Sequence, residues 1–78
     1  MDDERRHSVR TAIMRHLDVY PDASDTVEGI RGFWLSALED EADPSLVESV
    51  LDALVSDGVL WMRRLRDGGV IFGLKKNW

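Results

Sequence analysis

One continuous unit, residues 43–76, constrains the fold of this chain more than any other feature. It opens with apolar residues that share one face at helical spacing: Leu46, Val47, Val50, Leu51, Leu54 and Val55. Gly58 then predicts the end of this helix, because glycine readily adopts the left-handed conformation found after many helix C-termini. Two short apolar segments follow, joined by Asp67-Gly68-Gly69, a pattern typical of a β-hairpin. The unit therefore predicts a helix followed by a hairpin.

The start of this helix has two alternatives. Asp43 before Pro44 is a favourable N-cap, with proline at the first helical position. Ser45 with Glu48 forms a competing capping box slightly further along the chain.

Two more helices are predicted upstream. The first runs from about Asp3 to Val19, and its apolar stripe consists of Val9, Ala12, Ile13, His16 and Leu17. The second begins at Asp25, which with Glu28 has the spacing of a capping box. Its apolar face consists of Val27, Ile30, Trp34, Leu35 and Leu38. The chain thus predicts three helices before the hairpin.

The pairing of the hairpin predicts which of its side chains cover the helices. A two-residue turn at Asp67-Gly68 pairs Leu65 with Val70, and a turn at Gly68-Gly69 changes partners but not faces. Both place one set of residues inward: Val59, Trp61, Leu65, Val70, Phe72 and Leu74. The outward face then holds a mixture of apolar and basic residues: Leu60, Met62, Arg64, Arg66, Ile71 and Lys75.

The order helix, helix, helix, strand, turn, strand resembles the winged helix-turn-helix superfamily over essentially the whole chain. The most specific part is the segment DPSLVESVLDALVSDGVLWMRRLRDGGVIFGL. Small bacterial and archaeal regulators often show this pattern. The resemblance implies one α+β winged-helix domain over residues 1–78, a three-helix bundle with a C-terminal β-hairpin wing. It also implies a short strand near Ala23-Ser24. DNA-binding regulators and protein-interaction modules share this fold, so the fold leaves the function open.

Charge on the third helix disfavours DNA as its partner. In DNA-binding members of the superfamily this helix lies in the major groove. Its positions outside the apolar stripe are Ser45, Glu48, Ser49, Asp52, Ala53, Ser56 and Asp57. DNA affinity comes largely from basic side chains that displace counterions, and these positions offer none. Residues 18–57 as a whole carry eleven acidic residues and one basic residue.

We therefore expect a non-catalytic module that binds another protein or a second copy of itself, with a homodimer as one form. The candidate contacts lie on the acidic third helix, on the outward hairpin face and at the last residue: Glu48, Asp52, Leu60, Met62, Ile71 and Trp78. Aromatic residues such as Trp78 are enriched among binding hot spots.

The alternative is a small DNA-associated regulator that contacts phosphates through a basic wing. Its candidate residues are Arg63, Arg64, Arg66, Lys75 and Lys76. A purely structural interpretation of the same cluster is a solvated strand edge, because lysine and arginine commonly protect edges from aggregation. The wing could also neutralise part of the protein's own acidic middle.

The sequence lacks the residues that metal sites, common enzyme motifs and membrane spans require. The chain has no cysteine, and its two histidines, His7 and His16, do not have ligand spacing, so we expect no metal site and no cofactor. No phosphate-binding glycine loop or activated-serine motif is present, so we expect no enzyme. No apolar run approaches a membrane span of about 20 residues, and the first residues carry no apolar signal segment. A cytoplasmic location is the default expectation.

Overall fold

The computed structural model describes residues 2–36, 38 and 43–76, and it has an α+β fold. Three helices pack on a three-stranded antiparallel sheet, which confirms the α+β class. In chain order the elements are α1 (Asp2–Val19), β1 (Ser24–Thr26), α2 (Val27–Gly29), a π-helical turn (Ile30–Trp34), α3 (Pro44–Ser56), β2 (Leu60–Arg64) and β3 (Val70–Leu74). The strand expected near Ala23-Ser24 is therefore present as β1, which joins the hairpin as a third strand.

Helix α1 has the predicted span and the predicted buried stripe. Val9, Ile13 and Leu17 recur every four residues and are at most 2% exposed. Their spacing keeps them on one face of the helix, which packs on α3 and on the π-helical turn.

The second helix differs from the prediction at its start. Asp25 is not the N-cap, because it lies in β1 opposite Phe72. The cap is Thr26, whose hydroxyl accepts a hydrogen bond from the Gly29 amide at 3.2 Å. The helix then widens, and the Leu35 amide donates to the Ile30 carbonyl at 3.1 Å, five residues back. Ile30, Trp34 and Leu35 are buried, as the apolar pattern predicted.

Helix α3 resolves the choice between its two candidate caps. Its N-cap is Asp43, whose side chain accepts from the Ser45 amide at 3.0 Å, and proline occupies the first helical turn. At the other end Gly58 has a φ of +77°. The Val59 amide donates to the Leu54 carbonyl at 2.9 Å, and the Gly58 amide donates to Val55 at 3.0 Å. These two bonds form the Schellman motif that a glycine stop predicts.

The hairpin register differs by one residue from the prediction. The strands are joined by a three-residue loop, Arg66, Asp67 and Gly68, instead of a two-residue turn. The Gly68 amide donates to the Leu65 carbonyl at 3.1 Å, and the Leu65 amide donates to the Gly69 carbonyl at 2.7 Å. Gly68 has a φ of +92°, which this three-residue loop requires after its type I turn.

This register exchanges the two faces of β2, since a shift of one residue turns every side chain of a strand over. Leu60 pairs with Leu74 and Met62 with Phe72, so these residues share the face toward the helices. The prediction that Leu60 is outward was wrong, because its side chain is 2% exposed and belongs to the core.

The opposite face of the sheet carries Trp61, which was predicted to be inward. Trp61 pairs with Gly73, and its indole ring lies directly over that glycine. A Cβ atom at position 73 would overlap the ring, so glycine permits this close approach. Ile71 lies on this outward face as predicted, paired with Arg63. Arg64 was predicted to share it but points to the other face, opposite Val70.

Strand β3 has the predicted orientation. Phe72 is 4% exposed and lies in the core, and Val70 and Leu74 pack against that core from the same strand. The core is one cluster between α1, the π-helical turn, α3 and the inner face of the sheet.

The core position of α3 gives a first prediction. Leu51→Ala should lower the free energy of unfolding by about 2–5 kcal/mol, because it leaves a cavity beneath a fully buried stripe. Asp52→Ala is the matched control on the exposed face of the same helix and should change it by less than about 0.5 kcal/mol. Urea denaturation followed by circular dichroism measures both. A loss under about 1 kcal/mol for Leu51→Ala would contradict the core assignment.

Candidate functional site

The outer face of α3 is acidic and fully open to solvent. Glu48 and Asp52, one helical turn apart, are both exposed, as are the serines at positions 45, 49 and 56. α3 itself contributes no cation to this face, and Arg6 of α1 reaches it, donating to the Ser49 hydroxyl at 2.5 Å. The structure thus places these two predicted contact residues side by side on an accessible surface.

The other predicted protein contacts are not brought together. Leu60 is buried, and Met62 is 52% exposed on the core-side face of the sheet. Ile71 is half-buried on the opposite face. Trp78 lies outside the described residues. The mixed apolar surface predicted for the hairpin is therefore divided between two faces.

The basic residues of the hairpin are exposed but are also divided. Arg63 lies over the ring of Trp61, with its guanidinium carbon 5.7 Å from the ring centroid. Arg64 extends from the other face, and Arg66 lies in the loop. Lys75 is exposed at the end of β3.

Lys76 pairs with an acidic residue of the chain itself. Its ammonium group contacts the carboxylate of Asp22, in the segment between α1 and β1. Part of the basic cluster therefore neutralises the protein's own acidic middle.

A larger apolar surface lies elsewhere, at the C-terminal end of α1. Val19, Tyr20 and Phe33 are 66%, 59% and 74% exposed. All three line one open groove of about 580 Å³ between α1 and the π-helical turn. We call it the α1 groove; its lining is completed by His7, Ser8, Thr11, Ala12, Arg15, His16, Trp34, Ser36 and Leu38. Three large apolar side chains thus surround one depression, and contiguous exposed apolar patches mark contact surfaces.

A stack of aromatic rings lies beneath this groove. The imidazole of His16 lies 4.6 Å from the Trp34 ring, with 13° between the two planes. Tyr20 follows His16 by one helical turn, and the centroids of their two rings are 5.1 Å apart in a tilted arrangement. Because Trp34 is 6% exposed and belongs to the core, the stack connects the groove to the rigid interior.

The rim of the α1 groove carries the positive charge of Arg15. Arg15 and the imidazole of His7 are exposed along α1, and the described lining residues include no carboxylate. Arg10 is exposed on the adjoining surface of the same helix, whose lining also includes Asp18. The groove is therefore a basic and apolar area on a chain whose net charge is −5.

The sequence analysis missed this groove. Phe33 and Tyr20 both fall outside the apolar stripes of the predicted helices. Their position outside the stripes was the only indication in the sequence that these side chains are exposed. A single apolar residue outside a stripe is common and carries little information. Their meaning depends on the tertiary contact between α1 and the π-helical turn, which brings them to one surface.

Residues 2–36, 38 and 43–76 contain neither a membrane-spanning helix nor a metal-binding cluster. No described helix is long and apolar enough to cross a membrane. No group of three histidine or carboxylate side chains within these ranges could hold a metal ion. Comparison of the chain with models of protein families, with curated proteins and with solved structures finds no match.

Two neighbouring aromatic residues test the distinction between surface and core. Phe33→Ser should change the free energy of unfolding by less than about 0.5 kcal/mol, because its ring is mainly in solvent. Trp34→Ala should lower it by about 3–5 kcal/mol, since it empties a core position. Denaturant titration of both variants provides the measurement. A loss above about 1.5 kcal/mol for Phe33→Ser would mean that this ring supports the fold and is not held free for a partner.

Proposed function

We propose that this protein is a non-catalytic winged-helix module that binds another protein or a second copy of itself. The element order supports the winged-helix assignment: three helices precede the hairpin, and β1, between the first two helices, pairs with β3. The short loop after β2 corresponds to the wing.

One observation carries the functional proposal, namely the charge of the outer face of α3. Apart from Pro44 at its start, the exposed side chains that α3 itself presents are acidic or hydroxylic. A helix with this surface in the major groove would bring Glu48 and Asp52 toward a polyanion with no counterion release to compensate. The same carboxylates suit a partner protein with lysine or arginine at its surface, where complementary charge guides association.

Self-association has support from the distribution of charge. The acidic face of α3 and the exposed arginines of the hairpin lie on the same chain, so a second copy offers complementary charge. Salt would weaken association of this kind, because dissolved ions screen the attraction between exposed charges, with a Debye length of about 10 Å at about 0.1 M.

A DNA-associated regulator is the second candidate, and the exposure of the hairpin arginines favours it. Arg63, Arg64 and Arg66 are all accessible, and phosphate contacts need no particular sequence. About three such contacts give a weak affinity for DNA that depends only mildly on salt. Each neutralised phosphate contributes about one unit to the slope of the logarithm of the binding constant against the logarithm of salt concentration. The attraction of these few arginines for DNA is opposed by the repulsion between DNA and the carboxylates of α3. A DNA-associated role is therefore the second candidate.

The two candidate functions predict different binding of the chain to duplex DNA. The native chain should show no measurable binding to labelled random duplex DNA in fluorescence anisotropy at physiological salt. The double variant Glu48→Lys, Asp52→Lys should gain salt-dependent binding, because it replaces two repulsive charges on α3 with attractive ones. Submicromolar binding by the native chain, lost in Arg63→Glu and Arg66→Glu, would promote the DNA-associated alternative.

Site-specific crosslinking tests the protein partner itself. A photoreactive amino acid at position 52 on α3 should give a protein adduct in a lysate of cells that produce the chain, treated with nuclease before irradiation. The same group at position 24, exposed in β1 and outside both α3 and the hairpin, is the control and should give none. The adduct mass separates a second copy from a different protein. Adducts absent at position 52, or present there only before nuclease treatment, would contradict the proposal.

A further inference from the structure

We propose that the α1 groove is a second docking surface, and that it binds a short segment of a partner protein in which a large apolar side chain is flanked by carboxylates. This surface lies between α1 and the π-helical turn and is separate from the outer face of α3.

The apolar part of the groove defines the anchor of such a segment. Val19, Tyr20 and Phe33 are each more than half exposed around one concavity. A partner side chain inserted between them would remove apolar area from water on both molecules, the main source of affinity for short segments. The stacked rings of His16 and Trp34 give the floor a fixed shape, so little ordering is needed on binding.

The charged part of the groove defines the flanks of the segment. Arg15 and His7 lie exposed on the rim, and no described lining residue is acidic. A segment with aspartate or glutamate beside its anchor would pair with Arg15, whereas a basic segment would meet like charge. Arg10 extends the cationic surface along α1.

Three surfaces of a second copy were candidates for the segment, and each fits the groove poorly. The outer face of α3 has the required carboxylates but no large apolar side chain to insert. Met62 is an exposed apolar side chain, but Arg63 and Arg64 follow it directly and would approach Arg15. Tyr20 has Asp18 and Asp22 nearby, but its ring is itself a wall of the groove and contacts His16. We therefore assign the segment to a different protein.

A membrane surface is also a poorer match than a peptide. Lipid headgroups could pair with Arg15, but a bilayer is flat and cannot fill a concave groove. A narrow segment with one protruding side chain can enter it.

Peptide selection tests the proposal with the full chain. A random 12-residue peptide library displayed on phage is selected against the immobilised protein, and the enriched peptides are resynthesised with a fluorescent label. We expect them to contain an aromatic or large aliphatic residue next to aspartate or glutamate. Fluorescence anisotropy should show that Phe33→Ser weakens their binding about ten- to hundredfold, since it removes one buried aromatic contact.

Charge variants separate the anchor from the flanks. Arg15→Glu should weaken binding several-fold, and the loss should shrink as salt is added. Met62→Ser and Arg66→Glu are the matched controls, because they change an exposed apolar residue and an exposed arginine outside the groove, and they should leave affinity unchanged. Circular dichroism of each variant checks that it is folded.

Several results would overturn the proposal. These are selection that yields no common sequence, enriched peptides that are basic, or binding that Phe33→Ser leaves unchanged. Vesicles of phosphatidylcholine with phosphatidylserine form a separate arm: sedimentation of the chain with them, lost in Phe33→Ser, would assign the groove to a membrane surface instead. The crosslinking at position 52 probes the outer face of α3. Failure of peptide binding at the α1 groove would therefore not decide the function proposed for α3.

Discussion

Burial of the apolar stripe of α3 is the interaction on which the rest of this structure depends. Val47, Leu51 and Leu54 have no exposed surface, and the helix packs against α1, α2 and β2. Once this stripe is buried, the rotation of the helix is set, and its carboxylates must face water. The packing that holds the domain together therefore also decides what α3 presents to a partner. A change of function on this face requires only substitutions at positions that contribute little to stability.

Helices α1 and α3 followed from the sequence because their apolar stripes were clear. In α1 and α3 the apolar residues recur at helical spacing, and a proline or glycine marks an end. The hairpin was harder, because residues 59–62 are all apolar and do not alternate. With no alternation, the face of β2 depended on the length of the turn alone. A loop of three residues instead of two reversed that face and moved Leu60 into the core.

The two surfaces of interest differ in how far the sequence could reveal them. Glu48 and Asp52 belong to one helix, so their common face was already present in the spacing. The α1 groove joins the end of one helix to the π-helical turn that follows α2, and each residue alone resembles ordinary surface. Only packing brings Tyr20 and Phe33 together. The result is a chain with opposite charge character on the faces of two neighbouring helices, which would let it contact two different partners at once.

The order of strands in the sheet has a consequence for how this protein comes to be folded. Strand β3 lies in the middle, paired with β1 on one side and β2 on the other, yet it is the last strand along the chain. During synthesis β1 has no partner strand until Gly73 has been made, because Ser24 pairs with Gly73. The sheet therefore closes only after the long loop between β1 and β3 has been brought together. A nascent chain that stops before Val70 would lack the strand that both others require, and its apolar residues would remain available to chaperones or to aggregation.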